Sequence, residues 1–260
     1  MLPIFDTHAH YDDKAFDEDR EELLNSLPEL GVKGVVNMGA SLKGAIESER
    51  LAGKWDSVYF AAGIHPDDIA DLDEEGLETI RSLAKQDKCV AIGEIGLDYY
   101  WDVRPREEQK AGFIRQLELA KELDKPINVH CRDAHGDCFE IIKAHHAGTT
   151  GGIIHCFSGS VELAREYVKL GYYIGIGGVV TFKNAKALPE VVRTVPADRL
   201  VTETDCPYLA PVPFRGKRND STKIGHVIEQ IALIRETDEE EMANILYENA
   251  LRVYRIGQIG

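Results

Sequence analysis

The feature that most restricts this chain is an alternation. Eight short apolar runs, rich in β-branched residues, recur at residues 3–5, 33–38, 58–62, 89–93, 126–129, 152–154, 172–176 and 199–202. Helix-period stretches lie between them. Leu23, Leu24, Leu27 and Leu30 form one apolar stripe, and Phe113, Ile114, Leu117 and Ala120 form another. Near the end Met242, Ile245, Leu246, Ala250 and Val253 repeat at helical spacing, which predicts a closing amphipathic helix. Asn249 falls on that stripe and is expected to be a buried, hydrogen-bonded side chain. Eight strand–helix units in a chain of 260 residues match a (β/α)8 barrel of the TIM type, an α/β fold forming a single domain over residues 1–260. The competing reading is a doubly wound sheet. Gly93-Glu94-Ile95-Gly96 and Gly175-Ile176-Gly177-Gly178 both miss the dinucleotide-binding spacing, so these glycines are read as turns at strand ends.

Composition narrows the function. Thirty Lys and Arg against forty-five Asp and Glu give a net charge of −15, which excludes a uniformly basic nucleic-acid coat. Asp6, His8 and His10 break any secretory apolar core at the start, and no run approaches the roughly eighteen apolar residues of a membrane span. The five cysteines include no CxxC pair, so a reduced set of thiols and a cytoplasmic location are expected.

The chemistry lies where the histidines and acids fall. In Asp6-Thr7-His8-Ala9-His10 the polar residues alternate, so all three project to one side of an extended segment. Glu94 ends the fourth run, His130 the fifth, His155 the sixth, and Asp205 follows the eighth. In a barrel these are C-terminal strand ends, the rim where active sites form. Each residue alone has a bland explanation, such as a strand-end cap or a turn. Burying several carboxylates and imidazoles together without an ion would be costly, and six candidates exceed the four of a closed structural zinc site. The surplus points to two divalent ions with one bridging carboxylate and open positions.

Longer stretches carry a family resemblance. They are Asp6-Thr7-His8-Ala9-His10, Gly63-Ile64-His65-Pro66, Gly93-Glu94-Ile95-Gly96-Leu97-Asp98-Tyr99-Tyr100 and His130-Cys131-Arg132-Asp133-Ala134. His155-Cys156-Phe157-Ser158-Gly159, Glu203-Thr204-Asp205-Cys206-Pro207-Tyr208 and Arg215-Gly216-Lys217-Arg218-Asn219 follow in order. With these the chain resembles the TatD-type metal-dependent hydrolases, or TatD-related deoxyribonucleases, among the amidohydrolase-like barrels. The resemblance implies a two-metal hydrolase of phosphodiester bonds. His8, His10, Glu94 and Asp205 would hold one ion, and Glu94, His130 and His155 the other. Asp6 is expected to accept a hydrogen bond from the outer nitrogen of a ligating imidazole. A metal-activated water would attack phosphorus in line, with Asp205 taking its proton. His65 would contact the scissile or leaving group, and Arg132, Arg215 and Arg218 would bind substrate phosphates.

Two departures fall on rim loops. Asp67-Asp68 stands where the family commonly has a further histidine, and Asp220-Ser221 where it commonly has Glu-Pro. Tyr99, Tyr100 and Trp101 after Glu94 suit either base stacking or loop packing. His135, His145, His146 and His226 are read as solvated or structural, and Cys131, Cys156 and Cys206 as inert thiols turned off the metal face. The expected function is an exonuclease acting on DNA ends or single strands, without a membrane or an obligate protein partner. Hydrolysis of another ester or amide, such as D-aminoacyl-tRNA deacylation or phosphoesterase activity, is the alternative, and a metal-stabilised scaffold is a third. Four imidazoles suit zinc, manganese or nickel, and the resemblance adds magnesium.

Overall fold

The computed structural model describes residues 1–101, 103–146 and 148–257. Every expected run is a strand: β1 (Ile4–Ala9), β2 (Val32–Met38), β3 (Val58–Ala62), β4 (Cys89–Asp98), β5 (Ile127–Arg132), β6 (Gly152–Ile154), β7 (Tyr173–Ile176) and β8 (Leu200–Thr202). They pair in parallel in chain order. The ring closes through β1 and the segment after β8. Ala9 bridges Cys206, the Asp205 amide donates to His8 O at 2.9 Å, and the Thr7 hydroxyl donates to Thr202 O at 3.0 Å. The result is a single-domain α/β barrel of the TIM type.

Around the ring run α1 (Arg20–Ser26), α2 (Leu42–Lys54), α3 (Glu74–Ala84), α4 (Arg106–Glu122), α5 (His135–His145), α6 (Val161–Lys169), α7 (Leu188–Thr194) and α8 (Ile224–Arg235). The chain then forms α9 (Glu239–Val253). Several helices start on a side-chain cap: Ser41, Asp73, Ser160 and Asp238 each accept an amide N–H of the first turn. The stripe on α4 buries Phe113, Leu117 and Ala120 as its period predicts. The leucine stripe near the start does not form one helix. Pro28 falls where the helix would have continued, the chain tightens into a 3-10 turn over Leu27–Leu30, and Leu30 is exposed. None of the described helices is long and apolar enough to cross a membrane.

Three strands run longer than the apolar pattern suggests. β1 continues to Ala9, carrying His8 inside the sheet, β4 continues to Asp98, so Glu94 sits in mid-strand rather than at its end, and β5 continues past His130 to Arg132. The glycines flanking Glu94 are therefore not turns. A Cβ on Gly96, whose φ is +147°, would lie 1.9 Å from His130 O, so glycine lets β4 and β5 approach at the residues that bear the site.

The far end of α9 closes the barrel from within. Ala250, Val253 and Tyr254 join Phe5, Ala61 and Val201 in one buried apolar cluster. The Tyr254 hydroxyl donates to Thr7 O at 2.7 Å and accepts the Asn128 side-chain N–H at 3.0 Å. Since β1 and β5 face each other across an eight-stranded ring, that hydroxyl must lie near the axis. Asn249, buried as its place on the stripe predicts, donates to Ala197 O and Leu200 O at 2.8 Å each, tying α9 to the start of β8. Asn249→Ala removes a donor from the buried Leu200 carbonyl and the half-buried Ala197 carbonyl and is expected to cost about 1–3 kcal/mol in chemical denaturation. An unchanged midpoint would assign that tie no energetic role.

Candidate metal centre

The alternation on β1 places Asp6 and His8 within the barrel, both fully buried, and His10 just beyond the strand end. Their roles differ. The Asp6 carboxylate accepts the Thr204 amide at 3.0 Å, the Thr204 hydroxyl at 2.6 Å, the Ser221 hydroxyl at 2.7 Å and the His8 amide at 3.2 Å. Burial still lifts its pKa to about 7. It holds the segment after β8 against β1 and backs no imidazole, contrary to expectation.

Four donors from far-apart elements then converge. His8 Nε2 lies 3.1 Å from His10 Nε2, and these two nitrogens lie 3.5 Å each from Glu94 Oε2. Asp205 Oδ1 is 3.8 Å from His8 Nε2 and 3.5 Å from His10 Nε2. A regular tetrahedron around an ion with ligands at about 2.0–2.1 Å has edges of about 3.3–3.4 Å. The spacing thus fits a small divalent ion among these residues. On its other oxygen, Oε1, Glu94 meets His130 Nδ1 at 2.9 Å and His155 Nε2 at 3.7 Å. The ligand atoms of Glu94, His130 and His155 lie within 4.8 Å of one another, as do those of His8, His10 and Glu94. One carboxylate divides its oxygens between two donor sets.

Three of the imidazoles are backed by acceptors that the sequence pattern left without a role. Asn128 Oδ1 takes the His8 Nδ1 proton at 2.9 Å, and its own N–H points at Tyr254, which leaves the bare His8 Nε2 facing the cup. Asp98 Oδ2 lies 3.0 Å from His130 Nε2. Glu203, fully buried, places Oε1 3.2 Å from His155 Nδ1 but out of hydrogen-bond alignment, so Nδ1 and Glu203 Oε2 stay unpartnered. A side chain on Gly175 would fill the space of the Glu203 carboxylate, at 2.5 Å. The signal was present: Asn128 and Glu203 each precede a proposed ligand by two residues, Asn128 on the same face of β5 as His130 and Glu203 in the segment just after β8.

Glu94, His130 and His10 hold one another in charged form. Burial alone would raise the Glu94 pKa, yet His8 and the hydrogen-bonded His130 pull it well below its usual range. Burial opposes protonation of His130, but the bonds to Asp98 and Glu94 win and carry it up to about 10. His10 is likewise lifted to about 9, against burial, by Asp205 and Glu94. Burial and the neighbouring His130 push His65 down to about 4. Its Nδ1 accepts the Asp67 amide at 3.2 Å, so the neutral ring presents Nε2–H as a donor.

A cavity of about 590 Å³ opens over these groups, lined among others by His10, His65, Glu94, His130, Arg132, His155 and Asp205. Arg132 lies on its wall. Arg215 is exposed and stacked on Phe182, 4.4 Å from the ring centre, outside this lining. Arg218 is gripped by both oxygens of Asp19 at 2.7 and 2.6 Å, which accounts for its charge without a substrate phosphate. Asp67 belongs to the rim, together with Asp12, Asp13 and Asp68. His146 is buried beneath the Tyr172 hydroxyl at 2.6 Å, while His145 and His226 meet glutamates on the surface. No cysteine joins a metal-ligating cluster among the described residues; Cys131 Sγ turns to His135 Nδ1 at 3.3 Å.

Comparison with known proteins supplies the family. The model of the family described as TatD related DNase matches residues 5–255. The chain is 46% identical to a Bacillus subtilis (strain 168) protein described as the uncharacterized metal-dependent hydrolase YabD, over 97% of this chain and 99% of the relative. It is 33% identical to the 3′-5′ ssDNA/RNA exonuclease TatD of Rahnella sp. (strain Y9602), over 97% and 98%. Among solved structures, YJJV, a TatD homolog from Escherichia coli K12, superposes with a TM-score of 0.91 at 30% identity, over 97% of this chain and 98% of that one.

Removal of the backing carboxylates tests whether they act on the ligands. Asp98→Asn and Glu203→Gln are each expected to weaken manganese or zinc binding about 10- to 100-fold in calorimetric titration of the chelator-stripped protein. Wild-type affinity would leave both as purely structural groups. Tyr254→Phe frees Asn128 to rotate and is expected to lower ion affinity while His130 and its partners are untouched; a variant that binds both equivalents as tightly as wild type would break the proposed link.

Proposed function

The chain belongs to the TatD family of metal-dependent hydrolases, and from that premise we propose that it is a divalent-metal-dependent phosphodiesterase that trims DNA or RNA single strands from an end. The observation that carries this reading is the division of Glu94 between two donor sets beneath one open cavity. His8, His10, Glu94 and Asp205 would hold one ion, and Glu94, His130 and His155 a second. Such ions supply Lewis acidity, neutralising charge on phosphate oxygens and lowering the pKa of water. Zinc, manganese and nickel suit the four imidazoles, and magnesium remains compatible with the carboxylates.

The residues divide the remaining work. Asp205 spends Oδ1 on His8 and His10, and its side chain keeps 21% of its surface accessible, so it can accept the proton of the attacking water. The water oxygen forms the new bond to phosphorus as the bond to the leaving oxygen breaks; the leaving oxygen takes up a proton from solvent, and Asp205 returns the proton it accepted to solvent. Neutral His65 donates a hydrogen bond through Nε2–H toward the leaving oxygen. Arg132 on the wall clamps a non-bridging oxygen.

Charge sets the mode of attack. Among the described residues Arg132 is the single Lys or Arg in the cavity lining, whereas Asp12, Asp13, Asp67 and Asp68 stand on the rim. Together with the net charge of −15 this gives little counterion release along a duplex, and it suits capture of one terminal phosphodiester. The same four carboxylates would suit a substrate ammonium, which keeps an aminoacyl ester, as in aminoacyl-tRNA, as the second reading. The protein of Rahnella described as a 3′-5′ ssDNA/RNA exonuclease supports the first.

Labelled single strands, a small phosphodiester dye and an aminoacyl-tRNA, assayed side by side with and without chelator, separate these readings. Stepwise metal-dependent shortening of the strand is expected, and dye turnover without shortening would reject the nuclease. Asp205→Asn is expected to keep the wild-type circular dichroism and lose at least about 100-fold in turnover, the range for a general base. Near-normal turnover would remove Asp205 from the reaction.

A further inference from the structure

Among the described residues, the exposed aromatic side chains gather at one place. Tyr100, Trp101 and Tyr208 are 54%, 60% and 57% exposed, and all follow strands that end at the cup. Trp101 comes after β4 and Tyr208 after β8, which lie opposite each other in the eight-stranded ring, and both line the cavity that holds the metal-ligand cluster. Two apolar faces thus flank the donors from opposite walls. Leaving such area in water is unfavourable unless something covers it in use.

The rings are also held in place. The amides of Tyr100 and Trp101 donate to Asp98 Oδ1 at 2.9 and 3.0 Å, the same carboxylate whose other oxygen meets His130. The Arg132 guanidinium lies 4.0 Å from the Tyr100 ring centre and 5.4 Å from that of Trp101. Across the mouth, the Tyr208 amide donates to Asp205 O at 2.9 Å and its hydroxyl to Asp13 Oδ2 at 3.2 Å. Each platform is therefore fixed to a loop that carries a reacting group. Little ordering remains to be done when a ligand arrives.

Charge decides what that ligand offers. The rim carboxylates Asp12, Asp13, Asp67 and Asp68 repel any phosphate beyond the one met by Arg132 and the ion cup. Flanking nucleotides gain little from their backbones and must be held through their bases. We propose that Trp101 and Tyr208 are specificity-determining residues that stack the unpaired bases on either side of the scissile phosphodiester. The site then selects a strand by its free base faces and refuses paired ones. This rests on the phosphodiesterase reading and adds to it what the protein recognises.

The protein has two tryptophans, and Trp55 is buried with its indole N–H donated to Asn25, so quenching by a ligand reports Trp101. The probe is a cleavage-resistant phosphorothioate oligothymidylate of about eight nucleotides, compared with an abasic strand of equal length and linkage. Saturable quenching by the first strand is expected, with the abasic strand bound about 5- to 100-fold more weakly. Read by the anisotropy of a fluorophore-labelled strand, since the Trp101 variants lack the reporter, Trp101→Ala and Tyr208→Ala should lose a comparable factor for the thymidylate, and Trp101→Phe should recover most of it. The affinity should fall with salt at a logarithmic slope of about −0.7 to −1.4, that of one or two phosphates. Equal binding of the base-bearing and abasic strands by wild-type protein would overturn the proposal without reference to any variant. So would unchanged affinity in Trp101→Ala. If the wild type cuts strands but binds them without regard to bases, the stacking proposal alone fails. If it hydrolyses the small diester yet neither binds nor cuts any strand, the nuclease reading fails and the platform with it.

Discussion

A single buried carboxylate organises this molecule. Glu94 lies among four imidazoles, with His8 and His10 at one oxygen and His130 and His155 at the other. In water such a gathering would disperse, because donors of one kind have no reason to face one another at 3–4 Å. Here the donors are fixed to β1, β4, β5 and the end of β6 in a closed ring, and the ring cannot open at one place without losing pairing at another. The glycine at position 96 lets β4 and β5 come near enough for Glu94 and His130 to share that space. Barrel and cup are therefore one construction. The closed sheet supplies the rigidity, and the convergent donors give a divalent ion a reason to bind.

Behind the donors stands a layer that decides which atom of each ring faces inward. Asn128 and Asp98 hold the outer nitrogens of His8 and His130, and Glu203 stands beside that of His155. Their own orientations are set further out, by Tyr254, by the amides of Tyr100 and Trp101, and by the Cys156 amide bonded to Glu203. The loops are thereby coupled to the cup by short chains of hydrogen bonds. A polar layer of this kind is costly when incomplete, which is consistent with the one misaligned pair, His155 and Glu203, falling where an ion would draw on the ring.

Much of this was legible before any coordinates. The eight apolar runs became eight strands, because period and β-branching report burial directly. Five of the six proposed ligands line one cavity and the buried His8 joins their clusters from beneath, because a barrel gathers its strand ends whatever their separation in the chain. What the pattern hid was local. Glu94 interrupts the apolar run after Gly93, yet β4 runs on to Asp98, with Ile95 and Leu97 buried in the core on one face and the polar Glu94 and Asp98 alternating with them on the other. Pro28 split a leucine stripe that periodicity alone had joined. Asp6 was placed behind an imidazole by its spacing, but hydroxyls of Thr204 and Ser221, far along the chain, claimed it. Arg218 looked like part of a basic patch, and Asp19 holds it. Partners chosen across nearly the whole chain leave no trace in local spacing.

The Tyr254 hydroxyl, bonded to Thr7 O and Asn128 near the barrel axis, ties the end of α9 to the first strand. During synthesis His8 and His10 leave the ribosome early, while the residue that orients Asn128 behind His8 follows about 250 residues later. A nascent chain carries most of its ion donors for several seconds without the element that sets the ring of the first. Translation itself thus delays maturation: the cup takes its final form only after Tyr254 has emerged, and a half-made polypeptide offers the cell's free ions a poorer trap than the finished protein.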